Sequence, residues 1–205
     1  MTLTVHEKAV HWAMQEFRNG IHEIPPHSNR GPRVEYYQSF DFLADGGYAW
    51  CVDFFLAAWA NAGHPMPYKT AGAHDMGNWA KKVNYATVLE HLIPGDGIDF
   101  NIGSGHFAMY LDHSKTQVQV VNGNVGDAVQ ESTFRRSDIR VCMHIPEIHN
   151  IPKKHTKPPL FVVTTSINGH SKVIITQRTW QAIQPFLPRV IKNRGWNGFT
   201  IKRVK

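Results

Sequence analysis

Cys51 lies where a loop rich in glycine and aromatics, Asp45-Gly46-Gly47-Tyr48-Ala49-Trp50, gives way to an apolar stretch of helical character over residues 52–62. A helix start presents unpaired amides and the positive end of the helix dipole, and both favour a thiolate, the nucleophilic form of cysteine. A nucleophile needs a base. His106 follows Gly103-Ser104-Gly105 and opens an apolar run over residues 107–111; a turn-like Asp112-His113-Ser114-Lys115-Thr116 then leads into the alternating Gln117-Val118-Gln119-Val120-Val121-Asn122. This is the pattern of a β-hairpin. With its tip centred on Ser114, His106 faces Asn122 across the two strands. A slip of one residue would put them on different faces, whereas a slip of two would keep them on one face but no longer opposite. Asn124 shares that face and is the fallback partner. Thiol, imidazole and amide so placed make a Cys-His-Asn catalytic set, with Cys51, His106 and Asn122 as its members. Cys142, within the apolar strand-like residues 139–143, has no such context and reads as core.

Several elements must position these groups. Residues 5–19 carry Val5, Ala9, Trp12, Ala13 and Phe17 on one stripe, with Gly20 as a stop, and read as an opening helix that packs on the sheet. Short helices are expected over residues 34–39 and 73–82, the latter bringing Trp79 to the core. The thirteen histidines show no HExxH or other zinc spacing, and most are expected at the surface, His6, His11, His74 and His144 among them.

Charge divides the chain. Residues 1–152 hold 11 Lys+Arg and 16 Asp+Glu, a balance of −5, while residues 153–205 hold 11 Lys+Arg and no acid, a balance of +11. The break falls in a linker-like stretch, Ile151-Pro152-Lys153-Lys154-His155-Thr156-Lys157-Pro158-Pro159. The expected organisation is a catalytic domain over residues 1–150, a linker over 151–159 and a small basic α+β module over 160–205. In that module two strands (160–166 and 172–176) flank the turn Asn168-Gly169-His170, followed by a helix (178–192) and a last strand (198–204). Such a module suits an anionic polymer, with nucleic acid the less favoured choice. At 205 residues and 42% hydrophobic, the chain can bury one good core and a small annex. No stretch approaches the length of a membrane-spanning helix, and the first residues lack the charged and apolar regions of a signal peptide.

Trp50-Cys51-Val52-Asp53-Phe54-Phe55, Pro94-Gly95-Asp96-Gly97-Ile98-Asp99-Phe100, Gly105-His106-Phe107-Ala108-Met109-Tyr110 and Val121-Asn122-Gly123-Asn124, in that order, resemble the successive motifs of CHAP domains, cysteine- and histidine-dependent amidohydrolase/peptidases related to the NlpC-type peptidases. Residues 23–37 are similar to the segment that precedes the cysteine in phage-encoded members. The resemblance spans about residues 5–146. It implies a papain-like, NlpC-type α+β fold, with N-terminal helices packed on an antiparallel sheet. It also implies cleavage of amide bonds in bacterial peptidoglycan, between muramic acid and L-alanine or within the stem and cross-bridge peptides. The family's cysteine and histidine fall on Cys51 and His106. Its third residue, often Glu in a Glu-x-Asn pattern, falls on Asn122, and its Asn on Asn124. Some members hold calcium upstream of the cysteine; Asp41 and Asp45 lie there, too few oxygen ligands for more than a lesser alternative to a cofactor-free enzyme. A phage endolysin or virion-associated lysin is expected, present in the host cytoplasm before release to the wall or carried in the virion. The other readings are an inactive wall-binding or tail protein, and a papain-like peptidase acting on another amide.

Overall fold

Thr4 starts the first helix with a reciprocal cap: its hydroxyl accepts from the Glu7 amide (3.2 Å) and the Glu7 carboxylate accepts from the Thr4 amide (2.7 Å), which satisfies two donors that a helix start otherwise leaves unpaired. Helix α1 then runs over Val5–Arg18. The computed structural model describes residues 2–41, 43, 46–146, 160–167, 170–177 and 199–204, the last three segments by their backbone. The chain forms two units, Met1–Glu147 and Ile148–Lys205.

The buried face of α1 is His6, Ala9, Ala13 and Glu16. This differs from the stripe expected of Val5, Ala9, Trp12, Ala13 and Phe17: Val5, Trp12 and Phe17 are only partly buried against the core. The helix is rotated because its two inward polar residues find partners. His6 meets Asp96, and Glu16 accepts from Arg33 Nε (2.5 Å) and Nη2 (2.8 Å) and from the Tyr37 hydroxyl (2.5 Å). Paired charges tolerate burial that isolated ones do not. Burial and then Glu16 drive the Tyr37 pKa far up, so this phenol remains a donor.

Helix α2 covers Pro32–Gln38, α3 Cys51–Asn61 and α4 Ala73–Lys82. Every residue of α3 from Cys51 to Trp59 is buried, since α1, α2, α4 and the sheet all pack around it. Phe54 and Phe55 alone contribute roughly 1.5–3 kcal/mol each by leaving water. Trp79 of α4 is half-buried at the core edge, stacked on Tyr68 (5.4 Å, 7°).

The sheet of this unit has six antiparallel strands, β1 (Ala86–Thr87), β2 (Gly97–Phe100), β3 (His106–His113), β4 (Gln117–Val125), β5 (Ala128–Arg135) and β6 (Ile139–Met143), in the order β1-β6-β2-β3-β4-β5. The architecture is therefore α+β, helices on an antiparallel sheet, as expected. Both sheet faces are covered. Phe107, Met109, Val121 and Met143 join the helices in the main core, while Ile98, Phe100, Ala108, Tyr110, Val118, Val120 and Cys142 form a second core with Leu89 and Leu92. This explains the unbroken apolar run at the start of β3, where alternation would mark a half-exposed strand.

The β3–β4 hairpin pairs Met109 with Val121 and Tyr110 with Val120, then shifts so that Asp112 meets Gln119. Relative to the register expected from a tip at Ser114, the strands are slipped by two residues where they lead toward His106. The turn closes over Lys115 and Thr116, with the Ser114 amide donating to Gln117 O (2.9 Å), rather than centring on Ser114, and the extra residue in β3 between Tyr110 and Asp112 takes back one residue of that displacement.

In the second unit, β7 (Leu160–Ile167), β8 (His170–Gln177) and β9 (Phe199–Val204) form an antiparallel sheet in the order β8-β7-β9. The three strands expected in this region are present. The expected linker over 151–159 and helix over 178–192 lie outside the described residues. Among the described residues no helix is long and apolar enough to cross a membrane.

Candidate active site

Cys51 is the first residue of α3, with Trp50 as its N-cap. Trp50 is fully buried and donates its indole N–H to Glu23 Oε1 (2.9 Å), while Glu23 Oε2 accepts from the Asn29 amide (2.7 Å). On the other side the ring lies against Gly123 of β4, where any Cβ would come within 2.4 Å of it. Only glycine allows the helix start to approach the strand this closely. Glu23 is a buried carboxylate that hydropathy does not flag. Its signal in the sequence is its place in the segment resembling the family upstream of the cysteine.

His106 begins β3, and its Nε2 lies 2.6 Å from Asn122 Oδ1. The orientation of this amide is fixed by its other end, because Asn122 Nδ2 donates to Gln130 O (2.7 Å) and Ser132 Oγ (3.1 Å) on β5. The oxygen must then face the imidazole, so Nε2 carries the proton and Nδ1 holds the free lone pair. Asn122 thus selects the tautomer that can act as a base. The two-residue slip leaves His106 and Asn122 diagonal rather than opposite, and the short bond bridges that diagonal.

Asn124 is elsewhere. It has left-handed backbone geometry (φ 63°) at the irregularity in the β4–β5 ladder between Asn122 and Val125. In the amide orientation that satisfies both its groups, it donates to Glu23 Oε1 (3.2 Å) and accepts from the Trp50 amide (3.2 Å). The chain bends there, so the alternation that placed Asn124 beside His106 no longer holds, and Asn124 buttresses the helix start instead. With His106 acting as a general base, Asn122→Ala is expected to lower kcat by about 10²-fold, the scale of a mispositioned base. Asn124→Ala should lower kcat much less and show mainly as a lower Tm. Steady-state rates with melting curves for both variants check this, and the reverse ranking would assign the orienting role to Asn124.

A further group fixes the turn before His106. The His74 ring sits over Gly105, where a Cβ would come within 2.9 Å of it, and Gly105 has φ +111°. His74 Nδ1 bonds Asp99 Oδ1 (2.8 Å), and the fully buried Asp99 also accepts from Arg140 Nη1 (2.5 Å). Sequence reasoning marked the glycines but missed His74, Asp99 and Arg140, although Asp99 stood within a quoted motif.

The thiol is not the preformed thiolate expected. Burial pushes the Cys51 pKa up to about 11, outweighing the amides of Phe107, Val52 and Cys51 that favour the anion. The Val52 and Cys51 amides act as a helix start should and the Phe107 amide reaches the thiol from β3, but together they are weaker here than desolvation. Burial likewise lowers the His106 pKa, opposed by the Asn122 bond. Among the described residues no hydrogen bond joins thiol and imidazole. The Phe107 amide on the thiol puts it beside the residue that follows His106. The resting pair is neutral. Cys142 is also buried and pushed up to about 11, so both thiols are expected to alkylate slowly near neutral pH, with equal slowness in an iodoacetamide time course as the check.

Asp53, in the first turn of α3, is fully buried, and neither carboxylate oxygen has a well-formed hydrogen bond. Burial, then the charge and carboxyl contact of Asp41, push its pKa up to about 9. Asp41 accepts from the Leu43 amide (2.7 Å) and the Tyr48 hydroxyl (3.0 Å). Asp45 lies outside the described residues.

Among solved structures, the chain is similar to the P60 domain of an antigen from M. avium subspecies paratuberculosis, at 15% identity and a TM-score of 0.40, over 68% of this chain and 96% of that one. No family model and no curated protein sequence matches the chain.

Proposed function

We propose that the first unit is a cysteine amidohydrolase/peptidase that cleaves amide bonds of bacterial peptidoglycan through Cys51, His106 and Asn122. The observation that carries this reading is the locked His106–Asn122 pair (2.6 Å) on strands that pack against the helix whose first residue is Cys51. Substrate entering beside Cys51 displaces water, and the thiol proton moves to His106 Nδ1. The thiolate then attacks the amide carbon, and the negative charge on the carbonyl oxygen is met by the Cys51 amide at the helix start. The imidazolium gives its proton to the leaving nitrogen, leaving a thioester. Water attacks that thioester, gives a proton back to His106, and releases the acid with the thiol restored. Because thiol and imidazole rest neutral, transfer between them belongs to the catalytic cycle rather than to the free enzyme.

The finer reading is a phage-type CHAP lysin, supported by the order of its four sequence motifs. Calcium stays the lesser alternative to a cofactor-free enzyme: Asp41 and the buried Asp53 are oxygen donors that would hold it, but two carboxyls fall short of the about six to eight oxygens it takes. Incubating purified peptidoglycan with the protein and identifying released fragments by mass spectrometry tests the reaction and names the bond cut. Release unchanged in Cys51→Ala would leave a wall-binding protein. Release from other amides only would leave a peptidase of different substrate.

The acid-free residues 153–205 serve in this reading as an anchor on an anionic wall polymer. A protein ending near residue 150 is expected to hydrolyse soluble muropeptides normally yet lose affinity for intact walls. That loss should be largest at low salt and shrink as ionic strength rises. Cosedimentation with walls measures it. Stronger competition by duplex DNA than by teichoic acid would reassign the module to nucleic acid.

A further inference from the structure

His6 of α1, Asp96 in the turn before β2 and His144 just after β6 converge from three separate elements. Their ligand atoms all lie within 4.8 Å of one another. His6 Nε2 lies 3.2 Å from Asp96 Oδ1, and His144 Nδ1 lies 2.9 Å from Asp96 Oδ2. Neither histidine belongs to the catalytic set, and nothing in the proposed reaction uses them.

The cluster is held in place before any ion arrives. The His6 ring is set edge-on against Trp59 (4.8 Å) and runs nearly parallel to His144 (6.0 Å, 16°). Gly95 lets the turn close onto α1, since a Cβ there would meet His6 at 3.2 Å, and its carbonyl accepts from Trp59 Nε1 (3.0 Å). Asp96 is anchored by two amides, Ile93 N–H on Oδ2 and Ile145 N–H on Oδ1 (2.9 Å each). Orientation of a ligating carboxylate by fixed donors is what a metal site requires of its surroundings.

We propose that His6, Asp96 and His144 bind one divalent transition ion, zinc being the ion this donor set suits, with water as the fourth ligand. Two imidazoles and one carboxylate are ligands of borderline softness, which suit zinc and exclude the all-oxygen preference of calcium or magnesium. Tetrahedral ligands at about 2.0–2.1 Å from zinc stand roughly 3.3 Å apart, so the cluster needs to contract by at most roughly 1.5 Å. His144 is half-exposed and can supply that movement. His144, with 39% of its side chain exposed, opens the cluster to an ion from outside, while His6 also lines a groove of about 630 Å³ along α1. On binding, each imidazole gives up its hydrogen bond to Asp96 and ligates through the lone pair of that nitrogen. Its proton resides on the other ring nitrogen, and Asp96 keeps both amide bonds.

The test uses the full chain, stripped with chelator and titrated with cobalt(II) as a spectroscopic stand-in. The expected result is one equivalent bound, with the intense visible bands of a tetrahedral nitrogen/oxygen centre, bleached by one equivalent of zinc. Zinc should also raise Tm, as ligand binding to the folded state must. His144→Ala, at a half-exposed position, keeps the fold and should weaken binding by 10²-fold or more, since even outer partners of metal ligands are worth 10–100-fold. It should also abolish the Tm shift. His91→Ala serves as a control for adventitious binding by the other histidines and should change neither. Absence of tetrahedral bands, or binding that survives intact in His144→Ala, would overturn the site and leave the cluster as a hydrogen-bonded clamp. None of these readouts depends on hydrolysis, so the outcome is separate from that of the proposed reaction.

Discussion

Cys51→Ala is expected to remove hydrolysis of peptidoglycan amides, with kcat falling on the order of 10⁶-fold, while the melting temperature stays close to that of the parent chain. The size of the loss follows from the chemistry. Without the thiol there is no covalent intermediate, and His106 has no acidic partner from which to take a proton, so groups that act as a unit fail together. The fold is spared because Cys51 is small and alanine fills most of its volume at the start of an otherwise unchanged α3. Cys51→Ser tests the nucleophile more narrowly. It keeps the shape but substitutes a hydroxyl that a neutral imidazole deprotonates far less readily, and it should be nearly as inactive. His106→Ala should match Cys51→Ala. Turbidity loss of purified walls and thermal melts on all three variants provide the measurement, and residual hydrolysis above a few per cent in Cys51→Ala would sink the assignment.

The second large effect concerns stability and pH. The Asp53 carboxyl, pushed up to about 9 by burial and then by Asp41, is protonated in the folded chain at neutral pH but ionised in the unfolded chain above about pH 4. Between about pH 4 and pH 9 the folded state therefore holds the extra proton. Stability is fully present below the unfolded value and falls as pH rises, by up to about 1.4 kcal/mol per pH unit from this group alone. Asp53→Asn has the same shape and no charge to bury, so it should erase that slope and be markedly more stable than the parent at pH 8–9. Urea midpoints at pH 5, 7 and 9, measured in chelator, give the comparison through the difference between the two chains. Parallel profiles would show that Asp53 is not held protonated. Added calcium should flatten the parent's profile and leave that of Asp53→Asn untouched if the two carboxyls hold the ion.

The elements of the first unit were legible where periodicity was strong. Residues 73–82 and the start of α3 read correctly, and β3 and β4 were visible as a hairpin. Strands β1, β2 and β5 were not delineated, since two of them are short and β5 carries Gln130, Glu131, Thr133 and Arg135 among its apolar residues. The His106–Asn122 pair was legible as face and partner but not as register, since a slip of two leaves the residues on one face and bonded across a diagonal. Its fallback, Asn124, sits at a backbone with positive φ, where alternation stops being a guide, and meets Glu23 and Trp50. Buried polar residues were the least legible. His6, Glu16, Glu23, Asp53, Asp96 and Asp99 look like surface residues to any hydropathy scale. Each is buried by a partner distant in sequence or, for Asp53, without a well-formed hydrogen bond. The state of the thiol was hidden for a related reason, since desolvation depends on what covers a helix start and not on the residues that form it.

Asn122 takes its orientation from Gln130 and Ser132, and these belong to β5, the outermost strand on its side of the sheet. Edge strands open locally at a lower free-energy cost than the centre of a sheet, without the whole domain melting. Once β5 frays, the amide is free to rotate, the imidazole loses its enforced tautomer, and the proposed hydrolysis would stop in a molecule that is otherwise folded. Thermal inactivation of this unit would then precede its global melting transition and reverse on cooling.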